Sequence, residues 1–503
     1  MKRIKYTIPL FIFLLQFGFS QTDQPLTPKP VSVYPSIQDF SKALDDIFND
    51  PNFSNSHWGV VIQSLNTGEY FYKRNENKNF MPASNMKLFT SAVGLLDLGP
   101  NFQYETSLYL KGKIDDEIVK GDLVIRGSGD PTITARFYND DPNYVFSSWA
   151  DSLVELGVEE IRGNIIADDD VFDDVGLGSG WSWDDETYYY SAPVSGVSFN
   201  DNCVDVSIMP GETIGSKALI TFRPNTRYVT VLNDIATVKD DSVTKLEFYR
   251  DRGTNLIHCF GTIRLSEPKY TESISVNNPT QFAAVVFKEI LESKGIAVKG
   301  YSADIDEFTE ALDYTAMTKL FSQLSPKLDQ IVNVINKRSN NLYTEQLLKT
   351  IGFKHEKVGT TENGIKASEP YLKQMGIDPD NIQIVDGSGL SRMNLITPMQ
   401  LNNLLRYMYK SKVFKSFYES LPIAGVDGTI SRRMKNSRAE NNVHAKTGYI
   451  NSVRSLSGYV TTADGEMLTF VIIANNFLVP LPLAENIQDL VCVLLSNFSR
   501  GKK

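Results

Sequence analysis

The chain has 503 residues, of which 50 are Lys or Arg and 60 are Asp or Glu, for a net charge of −10 with histidine neutral. That is too long for one ordinary core, so two or three domains are expected. Hydrophobic residues at 42% and aromatics at 11% exclude global disorder, and the acidic balance excludes a general nucleic-acid binder, which needs a basic face.

In chain order, Lys2, Arg3 and Lys5 precede a nearly unbroken apolar run from Thr7 to Phe19, with small Gly18 and Ser20 before a cut after Ser20. This predicts a secretory signal over 1–20, too short for a comfortable membrane span. Its loss takes the net charge from −10 to −13. No Cys lies at the cut, so no lipid anchor is expected. No other stretch of about 18 apolar residues exists, so a soluble, secreted, periplasmic protein is expected.

Residues 21–36 are rich in Pro, Thr and Gln and read as an exposed lead-in. Ile37 to Phe48 has helical spacing of Phe40, Leu44 and Ile47. Gly59–Leu65 and Glu69–Tyr72 flank Asn66-Thr67-Gly68 as a hairpin. An apolar helix runs from Ser84 to about Leu98 and is stopped by Gly99-Pro100. From about Asn101 to Ala311, short strand-like runs alternate with Gly, Asp and Asn turns. This reads as a mainly β insertion of one or two sub-domains, with one clear helix opened by Asn278-Pro279 and ended by Gly295. From about Asp313 helices dominate, at Lys327–Lys337, Tyr343–Ile351 and Pro398–Lys410. Strands follow at Ser455–Val460 and Leu468–Ala474, then a last helix from about Leu483. The expected domains are therefore 37–100 with 312–503 as one α/β unit, and 101–311 inserted into it.

Several chemistries are absent. His57, His258, His355 and His444 are scattered, and no metal-ligand spacing, Walker loop or Gly-x-Ser-x-Gly elbow occurs. The runs Asp168–Asp170 and Asp173-Asp174 lack calcium-loop spacing and read as solvated turns. Cys203, Cys259 and Cys492 are odd in number. A Cys203–Cys259 bridge and three small buried hydrophobes are both open readings.

Three short motifs do point to chemistry. In Ser84-Asn85-Met86-Lys87, positions i and i+3 share a helix face, the helix start favours developing negative charge, and a desolvated Lys can act as a base. Ser339-Asn340-Asn341 sits between two helical patterns, where a hydroxyl and an amide can point into one cavity. Lys446-Thr447-Gly448 opens a strand, where a Lys and a Thr suit a substrate carboxylate and Gly allows close backbone approach. Singly, each also reads as ordinary structure: a capped helix with a solvated Lys, a polar turn, a surface strand. The apolar flanks of Lys87 favour an enclosed amine.

Together and in this order, Ser-x-x-Lys, Ser-x-Asn and Lys-Thr-Gly form the signature set of penicillin-binding proteins and serine β-lactamases. The chain resembles the D-alanyl-D-alanine carboxypeptidase/endopeptidases of the low-molecular-mass penicillin-binding protein 4 type, the DacB-like S13 peptidases. The resemblance covers nearly all of the chain after the leader. It is carried further by Gly121-Asp122-Leu123, Gly127–Pro131, Gly180–Asp185, Ser191–Pro193, Asn200–Cys203, Asp386–Arg392 and Leu421–Thr429. Tyr449 departs from the pattern, standing where a small Ser or Thr is more usual.

The resemblance implies an antiparallel sheet flanked by helices, as in the penicillin-binding-protein/serine β-lactamase-like transpeptidase domain. It implies cleavage of the D-Ala–D-Ala bond of peptidoglycan stems, inhibition by β-lactams, and no cofactor. Ser84 would be the nucleophile and Lys87 its base. Ser339 and Asn341 would serve proton relay and substrate amide. Lys446, Thr447 and Gly448 would bind the terminal carboxylate, with Tyr449 N–H in the oxyanion hole. Asp185, Tyr190 and Arg392 would line a pocket for a diamino-acid side chain. Two alternatives stay open: a serine β-lactamase, disfavoured by the long insertion and the lack of an assignable deacylating Glu, and a catalytically weak wall-binding or scaffold protein.

Overall fold

The computed structural model describes residues 36–309 and 311–500. The expected leader over 1–20, and all of the lead-in except Ser36, lie outside the described residues.

A five-stranded antiparallel sheet carries the outer α/β unit. Its order is His444–Ile450, Val453–Thr461, Met467–Asn475, His57–Ser64, Tyr70–Arg74. The first and last segments of the chain are thus paired side by side. Alternate residues point to opposite faces. Phe470, Ile472 and Ala474 meet Phe40, Leu44, Val491 and Leu495 of the helices Ile37–Phe48 and Leu481–Asn497. Val471 and Ile473 face the other way, into a cluster with Phe89, Leu347 and Leu404 from the helices Met86–Asp97, Asn341–Glu356 and Pro398–Lys410. A strand covered on both faces has no polar alternation, which explains the near-unbroken apolar run from Leu468 to Ala474.

The middle of the chain builds three further sheets. The largest has seven strands and runs through Ile118–Arg126 and Glu105–Asp115. The strand Thr318–Leu324 returns to pair with Glu105–Asp115, although it lies beyond residue 311. Two three-stranded sheets follow, centred on Leu256–Arg264 and Cys203–Met209. The helix Pro279–Ser293 starts at Asn278, whose side chain accepts from Gln281 N–H, and Gly295 follows its end. A second helix in this region, Tyr144–Glu155, was not anticipated. It buries Val145, Phe146, Trp149, Ala150 and Leu153, a helical spacing that was readable. Thr361–Gln374 is also helical despite Pro370 within it.

The acidic runs are solvated only at Asp170 and Asp174, which are exposed. Asp168 ends a strand and is buried against the Tyr314 hydroxyl. Asp169 accepts from the Ser195 and Thr280 hydroxyls, and Asp173 pairs with Lys349, whose side chain is only 3% exposed. Charge runs inside an insertion are buried where hydroxyl and ammonium donors meet them. All three cysteines are free and buried.

Candidate active site

Ser84 lies in a tight turn, Ala83–Asn85, that feeds directly into the helix Met86–Asp97. The turn is held in an unusual backbone state: Ala83 has φ +47°, a left-handed conformation that costs a non-glycine residue about 1–3 kcal/mol. Its surroundings enforce it. Asn85 Nδ2 donates to the Lys446 carbonyl at 3.0 Å, and Ser455 Oγ donates to the Pro82 carbonyl at 2.7 Å. The helix is thereby pinned to the edge strand His444–Ile450. Gly448 makes this approach feasible. A Cβ there would sit 2.1 Å from Ser455 Oγ, 2.8 Å from the Pro82 carbonyl and 3.0 Å from Ser84 N.

Lys87 is fully buried. Its Nζ lies 2.9 Å from Ser84 Oγ, 2.6 Å from Asn341 Oδ1 and 2.7 Å from the Ser388 carbonyl. Two of those three partners can only accept. A neutral amine has two N–H groups and one lone pair, so the two carbonyl oxygens take the N–H groups and the lone pair faces the Ser84 hydroxyl. Burial pulls the Lys87 pKa down to about 7, opposed by the charges of Asp386 and Glu345. Burial likewise pushes the Glu345 carboxyl up, with Asp386 adding to the rise.

The other two motifs close on the same point. Ser339, at φ +58°, interrupts the chain between the helices Leu328–Arg338 and Asn341–Glu356. The left-handed step separates Ser339 from Asn341. Ser339 Oγ accepts from Lys446 Nζ at 2.8 Å, while Asn341 reaches Lys87. Lys446 is fully buried and also donates to the Thr447 carbonyl at 2.7 Å. Its pKa is driven well below the usual lysine range, by burial first and then by the charges of Lys87 and Arg454. Thr447 Oγ1 donates to Thr429 Oγ1 at 2.7 Å.

Ser84, Ser339, Asn341, Thr447 and Tyr449 line one cavity of about 650 Å³, and Asp185 and Tyr190 share it. Tyr449 is half exposed on its wall. Asn341 Nδ2 donates to the Tyr190 carbonyl at 2.6 Å, and Tyr190 OH donates to Asp185 Oδ1 at 2.8 Å. Burial, then the bond to Asp185, raises the Tyr190 pKa. Arg392 lies beside this cavity without a bond to Asp185 among the described residues. It is exposed and donates to the Asn451 carbonyl at 2.8 Å, at the outer rim of the cavity.

The matching family model is D-Ala-D-Ala carboxypeptidase 3 (S13), over residues 40–497. The chain belongs to that family. It is 33% identical to a D-alanyl-D-alanine carboxypeptidase of Actinomadura sp. strain R39, over 94% of this chain and 89% of that one. It is 28% identical to the D-alanyl-D-alanine carboxypeptidase DacB of Haemophilus influenzae, over 84% of this chain and 86% of that one. The crystal structure of penicillin-binding protein 4 (dacB) from Haemophilus influenzae has a TM-score of 0.76 at 26% identity, covering 89% of this chain and 98% of that one. The architecture is thus that of this S13 penicillin-binding-protein fold.

Within this S13 site, several groups were given no role from the sequence. Glu345 lies one helical turn after Asn341 and accepts the backbone N–H groups of Gly387 at 2.9 Å and Ser388 at 2.7 Å. Asp386 accepts from Gly389 N at 2.8 Å, Ser391 N at 2.6 Å, Asn394 Nδ2 at 2.7 Å and Trp181 Nε1 at 2.9 Å. The two carboxylates shape the Asp386–Arg392 loop that presents the Ser388 carbonyl to Lys87. Asp386, Ser388 and Trp181 lie inside the stretches Asp386–Arg392 and Gly180–Asp185 that carried the resemblance, whereas for Glu345 the signal was the i, i+4 spacing from Asn341. No group of three or more His, Cys, Asp or Glu side chains among the described residues could hold a metal ion. No helix among them is long and apolar enough to cross a membrane.

Proposed function

We propose that this S13 D-Ala-D-Ala carboxypeptidase uses Ser84 as nucleophile and Lys87 as general base on the peptide stems of peptidoglycan. The observation that carries the assignment is the buried Lys87 amine, whose lone pair is left facing Ser84 Oγ at 2.9 Å by two acceptor-only carbonyls. The Ser84 proton passes to Lys87 as Oγ bonds to the carbonyl carbon of the penultimate D-Ala. The N–H groups of Ser84 and Tyr449 stabilise the oxyanion. The C–N bond breaks, and the departing amine takes a proton relayed through Ser339. Lys446, Thr447 and Thr429 hold the terminal carboxylate, and Asn341 orients the substrate amide. Water then hydrolyses the ester and regenerates Ser84.

β-Lactams acylate the same serine in this reading. Both Glu345 oxygens are taken by backbone N–H groups, so Glu345 is not placed to serve as a dedicated deacylating base, which favours this reading over a β-lactamase. The charged start and apolar run over 1–20 support export to the periplasm, checked by cell fractionation.

The test is covalent labelling by a fluorescent penicillin, with product masses from defined muropeptides. Ser84→Ala should abolish both labelling and D-alanine release with the fold intact. Labelling that persists at another residue would refute the assignment.

A further inference from the structure

A second cavity, of about 500 Å³, adjoins the catalytic one and shares Tyr189 and Arg338 with it. Its other walls include Arg136, Asp205, Arg223 and Ser273 of the inserted region. Most of its charges are already satisfied. Arg136 is bound to Asp201 at 3.0 Å and donates to Tyr343 OH, and Arg223 is bound to Asp140 at 3.2 Å. Arg338 is the exception. It is exposed at the last position of the helix Leu328–Arg338, and it has no ion pair or hydrogen-bond partner among the described residues. The Asp205 carboxylate accepts from the Ser273 hydroxyl at 2.5 Å and faces the charge of Arg223, its register partner on the neighbouring strand.

An anion reaching this lining from the catalytic cavity would therefore meet Arg338 as its one cation without a partner among the described residues, at the boundary that the two cavities share. That selects a ligand that extends out of the catalytic cavity and carries a carboxylate, which is the chemistry of a peptide with an acidic residue. On the reading of the site given above, we propose that this cavity is an additional peptide subsite. In it, Arg338 binds a carboxylate of the stem other than the terminal one that Lys446 and Thr447 hold. The carboxylate belongs either to the stem being cleaved or to the neighbouring stem of a cross-link. The plain structural role for Arg338, a cation favourable at a helix C-terminus, predicts an effect on stability without substrate preference.

The experiment compares kcat/KM of the wild-type protein and Arg338→Gln on matched substrates. One pair is a monomeric pentapeptide stem with its interior glutamyl carboxylate free or converted to a primary amide. The second pair is a cross-linked dimer amidated only on the non-cleaved stem. The expected result is about a tenfold loss for Arg338→Gln on the free acid of one pair, the scale of one charge-assisted hydrogen bond. The loss on the matching amide should be less than about twofold on the same basis. Discrimination in the monomer pair assigns the carboxylate to the cleaved stem; discrimination only in the dimer pair assigns it to the neighbour. Arg338→Lys should restore part of the discrimination. Equal loss on acid and amide, or no loss in either pair, overturns the subsite. If the wild-type protein released no D-alanine from any of the four substrates, the functional reading itself would fall.

Discussion

Replacing Lys87 by Met keeps the length and apolar stem of the side chain and removes only the amine. A lysine in water titrates at about 10.4, whereas burial brings Lys87 to about 7. Between those values the unfolded chain holds a proton on Lys87 that the folded chain does not. Stability of the wild-type protein must therefore rise with pH across this window, by up to about 1.4 kcal/mol per pH unit. The full penalty for folding around this amine below pH 7 is on the order of 5 kcal/mol by the same conversion. Lys87→Met lacks the titration. It leaves Asn341 Oδ1 and the Ser388 carbonyl without their donor, a cost of about 1–3 kcal/mol each that does not depend on pH. Lys446, also depressed, is common to both proteins and cancels to first order. Guanidinium unfolding of both proteins, at constant ionic strength from pH 6 to 9.5, should show the wild-type protein gaining about 2–3 kcal/mol on the variant between pH 7.5 and 9.5. Toward pH 6 the two curves should become parallel. Parallel curves across the whole range, or a wild-type protein that loses ground as pH rises, would show that the amine is solvated and would refute the assigned base. Penicillin acylation should be lost in the variant at every pH. In the wild-type protein it should fall tenfold per unit below about pH 7, because only neutral Lys87 can accept the Ser84 proton.

Gly448→Ala places a Cβ 3.0 Å from Ser84 N and 2.1 Å from Ser455 Oγ, so stopped-flow acylation should slow by about a hundredfold, the scale of one disturbed oxyanion donor; an unchanged rate would mean the strand yields freely. Trp181→Phe removes the indole donor to Asp386. It should shift the acid limb of the acylation profile while circular dichroism stays unchanged, and a fixed limb with lower thermal stability would make Trp181 a packing residue alone. Asp185→Ala should cut turnover of stems bearing a diaminopimelate side chain by more than it cuts penicillin acylation. Equal losses on both would assign Asp185 to holding Tyr190 in place.

The catalytic motifs were legible because each sits where local rules place it: a Ser and a Lys three apart on one helix, a polar interruption between helices, a Lys-Thr-Gly opening a strand. The two halves of the sheet were legible as strands from their apolar runs. Their pairing was not, since nothing local joins His57–Ser64 to Met467–Asn475. The same limit hid the groups behind Lys87. Glu345, Asp386 and the Ser388 carbonyl come from a helix and a loop whose meeting depends on tertiary packing. Arg392 was matched by its motif, but its bond to the Asn451 carbonyl beside the cavity could not be read from sequence, because a long exposed side chain follows the acceptor that tertiary packing brings near. Asp168, Asp169 and Asp173 departed from solvated turns for a related reason: their donors, Tyr314, Ser195, Thr280 and Lys349, come from far along the chain.

What distinguishes the site energetically is that its parts are costly to hold and are held by groups that do no chemistry. Ala83 and Ser339 occupy left-handed backbone states at +47° and +58°, and two lysines are buried without a direct ion pair among the described residues. Each would relax if released: the Ser84 turn toward a regular helix start, Lys87 toward water and a proton. Release is blocked by neutral contacts, such as Asn85 on the Lys446 carbonyl and Ser455 on the Pro82 carbonyl. The carboxylates nearest Lys87 oppose the fall of its pKa only in part, and their oxygens are held by backbone N–H groups and not by the amine. A direct carboxylate partner would have stabilised the fold and kept Lys87 protonated, removing the base. The arrangement observed gives up that stability for an amine that is about half neutral near pH 7.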